Sequence, residues 1–203
     1  MPEQQQEDLL VEREEYLSNG VHIGTKAQHK DMEKYIFHVK KNQLAVLNLE
    51  KTDERIRDAA RFLANYEPED ILVVARKPEA ELPLVKFTEA TGAERIAGRF
   101  TPGTLTNPRS DDFIEPEVVL VSDPEEDAQA IDEAVDAKIP VVAIADSANT
   151  LQDVDLTIPA NNKSGNSLGT VYYLLAQQLM EERGEEFDYE LEDFRPEEDE
   201  EEE

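Results

Sequence analysis

The chain has 203 residues, 48 of them Asp or Glu against 20 Lys or Arg, and a formal net charge of −28. Without a single Cys it has no disulfide framework and no thiolate metal site. No stretch approaches the roughly 18 consecutive apolar residues of a membrane span, and no early apolar run resembles a signal peptide, so a soluble cytoplasmic protein is expected.

The length fits one domain with tails, and 39% hydrophobic residues suffice for a core. Residues 1–8 are polar and read as a flexible N-terminus. A single α/β domain is expected over 9–184, with an acidic, disordered tail over 185–203 in which Phe187, Tyr189, Leu191 and Phe194 are able to dock.

Taken in order, Leu9–Leu17 forms a short amphipathic helix. Strands follow at Leu44–Leu49, Ile71–Ala75, Arg95–Ala97, Val118–Ser122, Val141–Ala145 and Leu156–Ile158. They are short, rich in Val and Ile and almost continuously apolar, as in a parallel sheet covered on both faces. Between them, Thr52 caps a helix over Asp53–Tyr66, and a less sharply started helix covers Leu84–Thr91. Asp123 caps a helix with Pro124 at its first position, burying Ala128, Ile131 and Val135. The last helix, Gly165–Arg183, stops before Gly184. Strand–helix–strand repeats of this kind demand right-handed crossovers and a three-layer α/β/α domain.

The acids are unevenly placed. Tyr16–Lys30, Lys34–Leu49, Arg95–Ser110 and Leu156–Met180 contain none, yet carry nine of the basic residues. Exclusion of charge from buried strands explains part of this; the Gly, Asn, Thr, Lys and Arg in these windows point to a polyanion. Lys26, Lys30, Lys34, Lys40 and Lys41 form the one dense basic cluster. Arg99, Thr101, Thr104, Thr106, Asn107 and Arg109 lie in a Gly/Pro-punctuated loop that brings backbone N–H groups near phosphates, unless Gly103 and the threonines serve only the turn itself. Asn161, Asn162, Lys163 and Ser164 precede the last helix, whose N-terminus attracts anions, although Ser164 or Asn166 also serves as a plain cap. His22, His29 and His38 lack metal-ligand spacing with acids, so no metal is expected. Acid spread over the helix faces, with few lysines, is the pattern of a protein adapted to molar salt, where charge repulsion is screened.

GVHIGT (Gly20–Thr25), YIFHVKKNQLAVLNLEKT (Tyr35–Thr52), GRFTPGTLTNP (Gly98–Pro108), SDPEEDAQAIDEA (Ser122–Ala134), IPVVAIADSAN (Ile139–Asn149) and IPANNKS (Ile158–Ser164) together resemble the small ribosomal subunit protein 2 family in its archaeal form. The resemblance runs from about Leu10 to Arg183. It implies a mostly parallel, flavodoxin-like sheet. It also implies a structural, non-enzymatic role in the small subunit, with small-subunit rRNA near the head–body junction and neighbouring ribosomal proteins as partners. No cofactor, small-molecule substrate or membrane is implied. Bacterial members insert a helical hairpin after the segment matching Thr104–Asn107, and this chain has only about ten residues between Asn107 and Val118. Ser147 replaces the Thr of many relatives and keeps the hydroxyl. Two other functions compete. One is a phosphate- or nucleotide-binding flavodoxin-like protein using the strand-end Asp123 and Asp146, against which stands the absence of any GxGxxG or GxxxxGK[ST] motif. The other is a protein–protein module without a ribosomal role.

Overall fold

The structure, a computed structural model, describes residues 9–196. Helix α1 (Arg13–Ser18) leads through a 3-10 turn (Lys30–Tyr35) to strands β1 (Ile36–Val39) and β2 (Ala45–Leu47). Then come α2 (Leu49–Leu63), β3 (Ile71–Ala75), α3 (Glu81–Thr91), β4 (Glu94–Ala97), β5 (Val118–Val121), α4 (Ala128–Ala137), β6 (Val141–Ala145), β7 (Leu156–Pro159) and α5 (Gly165–Arg183).

Five strands make one wholly parallel sheet in the order β4-β3-β5-β6-β7, the flavodoxin-like arrangement. Its strands bury both faces, and the period of two sorts their side chains cleanly. Ile71, Val73, Val118, Leu120, Val142 and Ile144 join the core beneath α2, α3 and α5. Leu72, Val74, Val119, Val121, Val141 and Ala143 join a second core beneath α4. Among the described residues the second face has one helix, α4. Between β4 and β5 the chain runs as a loop over 98–117, and Phe100, Leu105 and Ile114 from that loop fill the second core where a crossover helix would otherwise lie.

Four expectations are corrected. The run Leu44–Leu49 does not join the parallel sheet. Its central part, β2, pairs antiparallel with the unanticipated β1, because the turn at residues 40–43 is too short for a parallel crossover. Helix α2 starts four residues earlier than expected. Asn48 Oδ1 accepts from the N–H groups of Glu50 (3.0 Å) and Lys51 (3.4 Å), which frees Thr52 to bond the carbonyl of Pro159 at 2.6 Å. Leu9–Val11 run ahead of α1 and pack on the main core, with Leu10 N–H donating to Asp53 (2.8 Å). Lastly, α4 begins at Ala128 rather than at Pro124, so Ala130, Ile131 and Ala134 are buried while Val135 is exposed.

The stretch 185–196, expected to be disordered, is docked through Pro196; residues 197–203 and the polar segment 1–8 lie outside the described residues. Phe187, Tyr189 and Phe194 gather around Tyr173 of α5 in edge and tilted contacts with centroids 5.5–6.5 Å apart. Phe194 is fully buried, and Arg195 pairs with Glu15 of α1. Aromatic burial of this size outweighs the charge density of the segment. The strap approaches α5 so closely that a Cβ at Gly169 would collide with the carbonyl oxygen of Phe194. Gly169→Ala is therefore expected to lift the strap, costing about 1–3 kcal/mol by overpacking. Limited proteolysis should then cut beside Phe187 and Tyr189; protease resistance equal to the parent's would refute the tight seat.

Candidate nucleic-acid interface

All four acid-free windows reach the surface, and they do so in different ways. The segment Gly20–Lys30 is laid over the C-terminal ends of β6 and β7. Asn161 N–H donates to the Val21 carbonyl (3.0 Å) and Asn161 Nδ2 to that of Gly20 (3.1 Å). Ser147 serves as the hub beneath it. Its Oγ accepts from Thr25 N–H (2.9 Å) and lies 3.1 Å from the Ala27 carbonyl, while its own carbonyl accepts from His29 N–H (2.7 Å). Asp31 then takes the Leu151 N–H at 3.0 Å. That bond, the largest influence, together with His29, Thr150 and Lys34, holds the Asp31 carboxyl below the usual carboxylate range.

On this frame Lys26 and Lys30 are exposed beside the sheet edge, Lys34 is exposed in the 3-10 turn, and Lys40 and Lys41 are exposed in the β1–β2 turn. None of the five forms an ion pair among the described residues, which leaves their charge available. Lys34 Nζ lies 5.0 Å from the centre of the Tyr35 ring and the Arg55 guanidinium 6.0 Å from it. Burial and the charge of Lys40 depress the pKa of His22, keeping that imidazole neutral.

The loop after β4 sits apart, on α4. Arg99, Thr101, Thr106, Asn107 and Arg109 are exposed. Two of its backbone N–H groups, those of Gly103 and Leu105, are already taken from within the protein. Glu133 of α4 accepts from Gly103 N–H (2.6 Å), Leu105 N–H (3.0 Å) and Thr106 Oγ (3.3 Å). Burial pushes the Glu133 carboxyl up, but these donors and Gln129 outweigh it and hold it below the ordinary value. Gly103 has φ +95°, so only glycine suits this cradle, and the anion it holds is the protein's own. Thr104 is buried, its hydroxyl donating to the Thr101 carbonyl at 2.6 Å, and has no surface left for a ligand.

The window Leu156–Met180 lacks acid mainly because β7 and α5 are buried. Asn161 and Asn162, expected at an interface, are structural. Asn162 Nδ2 bonds the Ile144 carbonyl (3.1 Å) and Asn149 Oδ1 (3.0 Å), and Asn149 Nδ2 reaches Asp123 Oδ1 at 3.2 Å. Lys163 is partly exposed with its Nζ 3.3 Å from Asp123, and Lys77 pairs with the same carboxylate. Ser164 is the positional cap of α5 without a side-chain cap bond.

The sheet order reverses at β3 and β5, where doubly wound folds bind their ligands. Here that crevice is filled from within by the Asp123 carboxylate and its two lysines. Burial raises Asp123, yet Lys77, the Glu125 N–H and Lys163 hold it below the usual range. Asp146 is fully buried beside it, and burial pushes its carboxyl up against the pull of Ser147 and Lys163. Among the described residues no group of three or more His, Asp or Glu is placed to hold a metal, and no helix is long and apolar enough to cross a membrane.

Comparison with known proteins adds to this geometry. A family model described as "Ribosomal protein S2" matches residues 16–111 and 110–182. The small ribosomal subunit protein uS2 of Haloquadratum walsbyi is 47% identical over 197 residues, covering 97% of this chain and 70% of the relative. That of Methanococcus maripaludis is 47% identical over 191 residues, covering 93% and 86%.

Proposed function

The chain belongs to the ribosomal protein S2 family, and from that premise we propose that it is a structural constituent of the small ribosomal subunit whose lysine-bearing surface, residues 20–51, lies on small-subunit rRNA near the head–body junction. It is not an enzyme. The observation that carries the RNA-facing surface is the set of five exposed lysines, free of ion pairs among the described residues, in a chain of net charge −28. Folded RNA is held chiefly through phosphates and 2′-hydroxyls, which Lys, Arg and short polar donors satisfy. Arg99, Thr101, Thr106, Asn107 and Arg109 offer a second contact, and Lys163 and Ser164 a third. Neighbouring ribosomal proteins complete the setting. The domain proper spans residues 9–184, with the docked strap and the acidic end beyond it.

We further infer that the protein works in molar salt. Its acids outnumber its bases by 48 to 20, a composition that suits a screened medium. Phosphate contacts weaken there, so shape and apolar contact carry more of the affinity.

The test is sucrose-gradient sedimentation of a tagged copy from cells lysed in multimolar KCl. Co-migration with small subunits through a high-salt wash is expected; a signal only at the top of the gradient would overturn the assignment. Charge reversal at Lys40 and Lys41 should weaken incorporation by roughly tenfold or more and lower the salt slope by about 1 per lost phosphate contact. The circular dichroism of that variant should stay native, because both side chains are exposed. Unchanged incorporation would remove the hairpin from the interface.

A further inference from the structure

The most exposed large apolar side chain among the described residues is Phe37, at 70%. Its position has a specific cause. In the β1–β2 ladder Ile36 pairs with Leu47 and His38 with Val46, so Phe37 is the extra residue of a β-bulge. A bulge re-aims the side chain it carries. Ile36, not Phe37, turns inward to the small core of Met32, Tyr35, Leu47 and Ala145. The Phe37 ring stands in water with His38 against it edge-on, centroids 5.3 Å apart and planes at 80°. Val39 (46%) and Ile23 (41%) are exposed on the same small sheet, Ile23 bridging to Val46. Lys34 and Lys40 lie three residues to either side along the chain, inside a window without acid.

An exposed aromatic ring with an exposed lysine three residues to either side in the sequence matches one ligand chemistry closely: a nucleobase stacked on the ring, with neighbouring phosphates within reach of the lysines. We propose that Phe37 is a stacking platform for an unpaired rRNA base, and that the bulge in β1 exists to present it. This rests on the ribosomal reading above and adds to it a residue and a mode of contact. Stacking is largely insensitive to salt, unlike phosphate contacts, and it supplies affinity where ionic bonds are screened.

The test uses full-length protein and small subunits stripped of this protein, in multimolar KCl. F37A should bind about 5- to 150-fold more weakly, the range that loss of one stacked base produces, with an unchanged unfolding midpoint because the ring is outside the core. F37L, apolar but without a π face, should lose nearly as much, and F37W should retain binding. The chain contains no Trp, so F37W supplies its one indole, whose emission, read as the difference from the parent on the same subunits, should be quenched on binding by contact with a base. Retained binding by F37L, with a blue-shifted and unquenched F37W signal, would mean an apolar pocket on a neighbouring protein and would overturn the proposal. Equal binding by F37A and the parent would overturn it as well. Failure of the parent itself to bind would instead remove the ribosomal reading beneath it.

Discussion

Dialysis from multimolar KCl to about 0.1 M KCl is expected to abolish the near-UV circular dichroism of this protein. The Debye length grows from about 3 Å at 1 M to about 10 Å at 0.1 M, so carboxylates that ignore one another in concentrated salt begin to repel across the surface. The local cations offset little of this. Several ion pairs on α2, such as Lys51–Glu54 and Arg55–Asp58, join partly exposed neighbours three residues apart, where a pair contributes only about 0.3–0.5 kcal/mol. Stability of a domain this size is about 5–15 kcal/mol, which unscreened repulsion among 48 acids readily exhausts. A full native signal at 0.1 M KCl would refute adaptation to salt.

Asp127→Ala should be the most damaging single substitution, lowering stability by about 3 kcal/mol or more, since each buried N–H left without an acceptor costs about 1–3 kcal/mol. Asp127 Oδ1 accepts from Arg76 N–H (2.8 Å) and Oδ2 from the N–H groups of Ser122 and Asp123 (both 3.0 Å). One carboxylate thereby ties the end of β3 to the end of β5, and by turning back to do so it delays the start of α4. Burial, with the nearby Asp123 charge, pushes its pKa up to about 6 despite those donors. Because the folded value lies above the ordinary aspartate value of 3.8, folding favours the protonated form. The group's contribution is full below about 3.8 and is lost as pH rises through about 6. The stability difference between the parent and Asp127→Asn should therefore change between those two pH values and stay flat above about 7, measured by urea unfolding in high salt. No pH dependence of that difference would contradict the buried, elevated carboxyl.

Much of the architecture is legible in the sequence for a simple reason. Ile71–Ala75 and Val141–Ala145 are continuous apolar runs, which only a strand buried on both faces tolerates, and α5 is bounded by Gly184 at its end. β1 escapes notice because Phe37 at the bulge breaks its alternation and His38 and Val39 are exposed. Surface position is legible where the signal is charge. Exposed lysines such as Lys40 and Lys41 are read correctly as surface because an ammonium is seldom buried. It is illegible where the signal is polarity alone. Thr104, Asn161 and Asn162 bond loops internally, and nothing in a linear sequence separates an amide that closes a loop from one that meets RNA. Glu133 is the reverse case: an acid on a helix, ordinarily taken for solvated surface, that in fact anchors the loop over 103–106.

The docked strap ties together two segments 180 residues apart in sequence, because Arg195 meets Glu15 and Phe194 closes over Gly169 and Tyr173. Chains are made from the N-terminus, so this closure forms only after residues 187–195 have been synthesised. Until Phe187, Phe194 and Arg195 leave the ribosome that makes them, the aromatic side of α5 stays open and α1 lacks its ion-pair partner. A nascent or prematurely stopped chain thus carries an exposed apolar seam, the kind of surface on which chaperones and proteases act.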